Sequence, residues 1–160
     1  MVCILSAAQS TLQATLRPAI WLPGIRSLHS CSERWEITEL TPAICVQKVV
    51  DAIARLAEKE KIFLHKVDRE RNIVQIFSYT KAEWLDIVEI EFYPGQFSGT
   101  EGKARSFSSG LLPVWVPLSF VFNTIFFFVP FYDNQFNKKR LARIKEAMHL
   151  DRLDQVEQQT

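Results

Sequence analysis

One hundred and sixty residues suit one domain with a tail and an insertion. Hydrophobic residues at 48% and charged residues at 23% give a globular composition, and 19 Lys and Arg against 18 Asp and Glu leave no bulk charge to recruit a polyanion. Cys3, Cys31 and Cys45 are odd in number and irregular in spacing, so they make no disulfide framework.

Residues 1–32 contain Arg17 and Arg26 but no acid, the first being Glu33. Hydroxyls are frequent there (Ser6, Ser10, Thr11, Thr15, Ser27, Ser30, Ser32), and Leu5, Leu12, Leu16 and Ile20 recur at near-helical spacing. That is the composition of an organellar transit peptide, a cationic amphipathic helix drawn towards a membrane that is negative inside. The expectation is a targeting segment over 1–32, mitochondrial ahead of chloroplast, with processing near residue 30. The alternative is a disordered tail on a cytoplasmic protein.

Residues 33–150 read as one α+β domain. A first strand is expected over 35–40. Thr41-Pro42 then starts a helix, because Thr can cap and Pro suits the first helical position. Val46, Val49, Val50, Ile53, Leu56 and Ala57 form its apolar stripe, with an Asp51–Arg55 pair outside it. Segments 62–67 and 73–79 are strands around the polar turn DRERN. In 84–93, Val88, Ile90 and Phe92 alternate with Glu89 and Glu91, which predicts one buried and one wet face. A hairpin centred on Phe97 sets Glu89 opposite Arg105 and Glu91 opposite Lys103, with Phe92, Ile90 and Val88 opposite Gly102, Ala104 and Ser106. The order helix, strands, helix predicts an antiparallel sheet of four to five strands with two helices on one face.

Residues 111–131 carry no charge, and the basic stretch NKKRLARIK follows. The run is long enough for a bilayer core. Pro113, Pro117 and Pro130 lack amide donors, however, and Asn123 puts an amide in the middle. The segment 111–132 therefore reads as a hydrophobic insertion. A last helix is expected from Asp133 or Asn134, with Phe136, Leu141, Ile144, Ala147 and Met148 as its apolar stripe, and 151–160 as a polar tail.

RSFS at 105–108 and DNQFNKKR at 133–140 resemble the paired signatures of the domain-of-unknown-function 1499 family, R-S-x-S on a strand followed by D-x-x-x-N, basic residues and Arg on a C-terminal helix. The resemblance spans roughly residues 35–150. It departs at Ser109, where the family has Arg, and at 110–132, which separates motifs that the family joins by a few residues. It implies the α+β fold and no reaction. Two readings of its residues stay open. Arg105, Asn137 and Arg140 could bind an anionic ligand, two cations beside an amide. Alternatively, Asp133 caps the helix, Asn137 satisfies backbone at the sheet edge and Arg140 pairs with a carboxylate.

Recognisable catalytic chemistry is missing from the sequence. His29, His65 and His149 stand apart from each other and from the cysteines, so no metal spacing exists. FSSG is not a nucleophile elbow, and there is no phosphate-binding glycine loop. The expectations are no catalytic residue, no metal, no cofactor and no nucleic-acid partner. The run itself could span a bilayer, dip into one leaflet, or form core or a subunit contact. A full span would separate the last helix from its sheet. The expected function is a non-enzymatic, membrane-associated accessory protein. Trp115, Phe120, Phe122, Phe126, Phe127 and Phe128 would meet lipid or a partner subunit, and Lys138, Lys139 and Arg143 would meet headgroups. The alternative is a small-ligand-binding or catalytic domain whose apolar run lines a pocket.

Overall fold

Five antiparallel strands form one sheet between two helical layers of opposite character. The computed structural model describes residues 4–16, 30–95, 99–126 and 136–148. In chain order the elements are α1 (Ile4–Leu16), β1 (Ser30–Ile37), α2 (Pro42–Ala57), β2 (Ile62–Asp68), β3 (Ile73–Tyr79), β4 (Leu85–Pro94), β5 (Thr100–Ser108), α3 (Ser119–Ile125) and α4 (Phe136–Ala147). The sheet order is β1-β5-β4-β3-β2.

The β4–β5 register is the expected one. Glu89 faces Arg105, Glu91 faces Lys103, and Phe92, Ile90 and Val88 face Gly102, Ala104 and Ser106. Gly102 suits this arrangement: a Cβ there would lie 3.0 Å from the Phe92 ring and 3.4 Å from Trp35 Cβ, so the ring would have to give by a few tenths of an ångström. Phe97, the expected hairpin centre, lies outside the described residues; Gly95 N donating to Gly99 O at 3.0 Å closes the turn. Between β2 and β3, Asp68 Oδ1 accepts from Arg71 N at 3.1 Å, and Asn72 takes the left-handed conformation at φ 53° that Asn tolerates.

Helices α2 and α4 cover one face, as expected. Trp35, Ile37, Val74, Ile76, Val88, Ile90, Phe92 and Ala104 from the strands meet Cys45, Val46, Val49, Ala52 and Ile53 from α2, and Leu141, Ile144 and Met148 from α4. The Thr41 hydroxyl caps α2, accepting from Ile44 N at 3.4 Å, with Pro42 in the first turn.

Four local expectations need correction. First, β1 begins at Ser30 and ends at Ile37, because its pairing runs from Ser30 opposite Phe107 to Ile37 opposite Thr100, and the chain turns away at Glu39 with φ 62°. Second, the buried stripe of α2 includes Cys45 and Ala52, whereas Ala57 is exposed, so the helix is rotated slightly from the expected angle. Third, Arg55 does not pair with Asp51. Its guanidinium donates to Ala147 O at 2.6 Å, tying α2 to α4, and Gln47 donates to Asp51 instead. Fourth, Phe136 of α4 points outward at 55% exposure, and the buried member of that turn is Asn137. Asn137, Leu141, Ile144 and Met148 share one face at helical spacing, which puts an amide where a hydrophobe was expected.

The opposite sheet face is wet at one end only. Glu89 and Glu91 are half-buried there, and Gln75 donates to Glu89 Oε1 at 2.8 Å. At the other end Phe77, Tyr79, Leu85, Ile87 and Phe107 form a second apolar cluster with Val114 and Ala14. This end lies under α1 and the loop that precedes α3, and α1 and α3 pack on each other.

Candidate functional site

The layer made by α1, α3 and the loop between β5 and α3 is built inside out. On α1, Ser6, Gln9, Ser10 and Gln13 are all buried, at i, i+3, i+4 and i+7. That is the spacing of one helix face. Ile4, Leu5, Leu12 and Leu16 lie on the exposed side, with Ile4 at 88%. On α3, Ser119 and Asn123 are buried, one turn apart, whereas Val121, Phe122 and Ile125 are exposed. A helix on a water-facing globule does the reverse.

The inward polar groups are saturated by one another and by backbone. Gln9 Nε2 donates to Val114 O at 2.8 Å and Val116 O at 3.0 Å, while its Oε1 accepts from Ser119 N at 3.1 Å. Asn123 imitates a strand partner for Leu112, accepting from Leu112 N at 2.7 Å and donating to Leu112 O at 3.0 Å; it also donates to Gln13 Oε1 at 3.0 Å. Gln13 Nε2 donates to Ser109 Oγ at 2.5 Å, and Ser109 Oγ donates to Leu85 O at 2.6 Å. Deeper down, Tyr79 OH donates to Ser10 Oγ at 2.9 Å, and Ser6 Oγ donates to Glu83, which also pairs with Lys61 at 3.3 Å. Burial pushes the Tyr79 phenol above its ordinary range; the Ser10 hydrogen bond opposes the shift, and the Glu83 charge adds to it. Buried polar groups without partners are costly, so this mutual saturation is what lets the layer form.

The prolines shape the loop. Val116 N donates to Pro113 O at 3.1 Å, Ser119 N donates to Val116 O at 3.0 Å, and Leu118 enters α3 with φ 59°. Over residues 111–126 the apolar run is thus turns followed by a seven-residue helix. Among the described residues, no helix is long and apolar enough to cross a membrane.

Of the side chains expected to meet lipid or a partner, Trp115, Phe122 and Phe126 are exposed and Phe120 is half-buried. Phe127 and Phe128 lie outside the described residues. Val114 is the member of the run that turns into the sheet-face cluster. Lys138 and Lys139 are exposed on α4, and Lys139 Nζ sits 5.9 Å from the Phe136 ring centroid. Arg143 pairs with Glu60 at 2.6 Å. All three lie on the helix that packs across the sheet from α1 and α3.

Arg105, Asn137 and Arg140 are divided by the sheet. Arg105 lies 5.4 Å over the Phe107 ring, on the α1 side. Asn137 and Arg140 meet on the α4 side, where every nitrogen of the Arg140 fork is engaged. Its Nη2 contacts Asp86 Oδ2 at 2.5 Å, Nε donates to Ser78 Oγ at 3.0 Å, and Nη1 donates to Ser106 Oγ at 3.3 Å and Asn137 Oδ1 at 3.1 Å. Ser106 also donates to Asn137 Oδ1 at 2.6 Å. A guanidinium this fully committed ties helix to sheet.

Among the described residues no group of three or more His, Cys, Asp or Glu could hold a metal. Cys45 is buried, and burial pushes its thiol up, away from nucleophilic use. His65 stacks on Phe77 at 3.9 Å, and burial and the Lys66 charge push its imidazole down. His29 and His149 lie outside the described residues.

The inverted α1 face was legible in principle, since Ser6, Gln9, Ser10 and Gln13 form a polar stripe as regular as the leucines. The composition of the same segment points to a targeting signal.

No family model and no curated protein matches the chain. Among solved structures, it is similar to the one titled "Crystal structure of Ara h 8.0201", at 10% identity over 75% of this chain and 94% of that one, with a TM-score of 0.46. So distant a likeness carries no conclusion about this chain.

Proposed function

We propose that this chain is a non-enzymatic, membrane-associated accessory domain that rests on lipid through the apolar segment 111–132. One observation carries the reading: an uncharged run turns Ser119 and Asn123 inward and leaves Trp115, Leu118, Val121, Phe122, Ile125 and Phe126 exposed. Exposed apolar surfaces of this kind mark membrane or partner sites, and a helix buried to half its depth in a leaflet needs no span. The organellar address belongs to the same proposal, supported by the acid-free, arginine-bearing start; a reporter carrying residues 1–35 that stays diffuse in the cytosol counts against it. The resemblance to the domain-of-unknown-function 1499 family is part of the proposal too, with Asn137 and Arg140 as helix-to-sheet ties.

The test is flotation of the full chain with phosphatidylcholine vesicles at neutral pH. Wild-type protein floats. A Trp115→Ser, Leu118→Ser, Phe122→Ser variant stays at the bottom with an unchanged circular dichroism spectrum. A wild-type chain that sediments free of vesicles overturns the reading; if it sediments as a defined oligomer, a partner subunit takes the place of lipid.

A further inference from the structure

We infer that α1 is the second half of the lipid-contacting surface, so that α1 and α3 enter one leaflet together as a bonded pair. The inference rests on the membrane reading above and extends it to residues whose composition points to a targeting signal.

Three observations carry it. The two elements pack on each other, and each leaves large hydrophobes exposed, Leu5, Leu12 and Leu16 on α1 and Phe122 and Ile125 on α3, with Leu118 just before it. Their shared seam is polar, and it is closed by Gln9 to Ser119 and by Asn123 to Gln13. Finally, two of the hydroxyls outside the seam, those of Thr15 and Thr124, are spent within their own helices. Thr15 donates to Thr11 O at 2.9 Å and Thr124 to Phe120 O at 2.7 Å.

Hydrocarbon is the occupant that fits these facts. In lipid every polar group must find a partner within the protein, and helical hydroxyls bond back to a carbonyl one turn earlier. A protein partner would be met by donors and acceptors at roughly one hydrogen bond per 100–200 Å², and the outward side of α1 holds only Ile, Leu, Ala and Thr. No charged residue occurs in Ile4–Leu16 or in 111–126, so the surface has no electrostatic preference for an anionic headgroup. The seam also explains why the pair would stay together. Its amides exchange little with water once hydrocarbon covers them, and a hydrogen bond is electrostatically stronger where the dielectric is low.

The inference requires the mature chain to keep α1, which processing near residue 30 would remove. It also predicts which atoms touch acyl chains. The experiment uses the full chain bound to neutral phosphatidylcholine vesicles that carry a trace of lipid with a diazirine in the acyl chain. After photolysis, labelled positions are mapped by mass spectrometry. Label is expected on Leu5, Leu12 or Leu16 as well as on Leu118, Phe122 or Ile125, with Gln9 and Gln13 clear, and binding should persist in high salt. A Leu5→Ser, Leu12→Ser variant should lose vesicle affinity while keeping its fold by circular dichroism.

Label on α3 with none on α1 overturns the inference and leaves the membrane reading standing. Label on Gln9 or Gln13 overturns it as well, because α1 would then insert alone with its polar face uncovered. A membrane-bound protein whose first residue lies near 30 does the same. Absence of label everywhere removes the membrane reading itself.

Discussion

The two sides of the sheet solve the same problem in opposite ways. Towards α2 and α4 the interior is apolar, and one charged cluster, Arg140 with Asp86, Ser78, Ser106 and Asn137, is sunk into it. Those helices show Lys and Arg to the outside. Towards α1 and α3 the sheet is again apolar, but the covering helices turn amides and hydroxyls inward and leave hydrophobes outside. The difference teaches what holds each side together. Hydrophobic burial drives the first layer together in water. The second gains little from that term, because Ala14 and Val114 are its apolar contributions to the sheet-face cluster. It is held by hydrogen bonds, whose net worth in water is about 0.5–1.5 kcal/mol each.

Breaking the first side should do the most harm. Arg140→Met takes the guanidinium away from the Asp86 carboxylate, whose side chain is 5% exposed. Removing one partner of a buried ion pair costs about 3–5 kcal/mol, so the urea midpoint should fall sharply. Pairing it with Asp86→Leu should recover part of the loss, because the buried carboxylate is then removed as well. If Arg140→Met alone leaves the midpoint unchanged, the cluster is not what ties α4 to the sheet. In either variant, vesicle binding per folded molecule should be unaltered, because Arg140 and Asp86 lie across the sheet from the apolar layer.

Breaking the second side should be local. Asn123→Leu orphans Leu112 N–H, Leu112 C=O and the Gln13 carbonyl, and each unsatisfied buried group costs about 1–3 kcal/mol if water cannot reach it. Here water can reach it once α1 lifts, so the layer should open before the sheet unfolds. Hydrogen exchange at Leu112 and along α1 should speed up while β3, β4 and β5 stay protected. Gly110→Ala tests the same coupling from another direction, since a Cβ there would lie 2.1 Å from Asn123 Cγ and must push the amide away. Equal exchange in wild type and Gly110→Ala would mean that Asn123 is not the latch.

The α4 side was readable from the sequence because its code is the common one. Val88, Ile90 and Phe92 against Gly102, Ala104 and Ser106 admit one register, and Thr41-Pro42 marks one helix start. Phe136 was misassigned because periodicity counts hydrophobes, and the stripe of α4 carries the amide of Asn137 in that turn. The α1 side was harder for a deeper reason. An outward leucine and an inward one have the same spacing, so a pattern fixes a face without saying what it faces. Asn123 stood out as an amide in an apolar run, but its partners, Leu112 and Gln13, lie 11 and 110 residues away. That pairing exists only in three dimensions.

The smallest effect should come from Tyr79, where the two sides differ in their response to pH. The phenol donates to Ser10 beneath α1, and burial holds its proton on beyond the usual range. A group whose folded value is raised contributes stability that is fully present below the unfolded value, about 10 for tyrosine, and is lost as pH rises through the folded one. Alkaline solution should therefore loosen α1 by removing the donor and placing a negative charge near Glu83. Protease cleavage within α1, followed from pH 8 upward, should accelerate on the alkaline side. In Tyr79→Phe the acceleration should disappear, while cleavage at neutral pH rises modestly, since one hydrogen bond worth about 0.5–1.5 kcal/mol is gone. An identical pH profile in both proteins would detach Tyr79 from the docking of α1. The same titration bears on how membrane association is measured: an alkaline carbonate wash drives the phenol beneath α1 towards ionisation, so flotation at neutral pH, where the phenol keeps its proton, is the fairer assay.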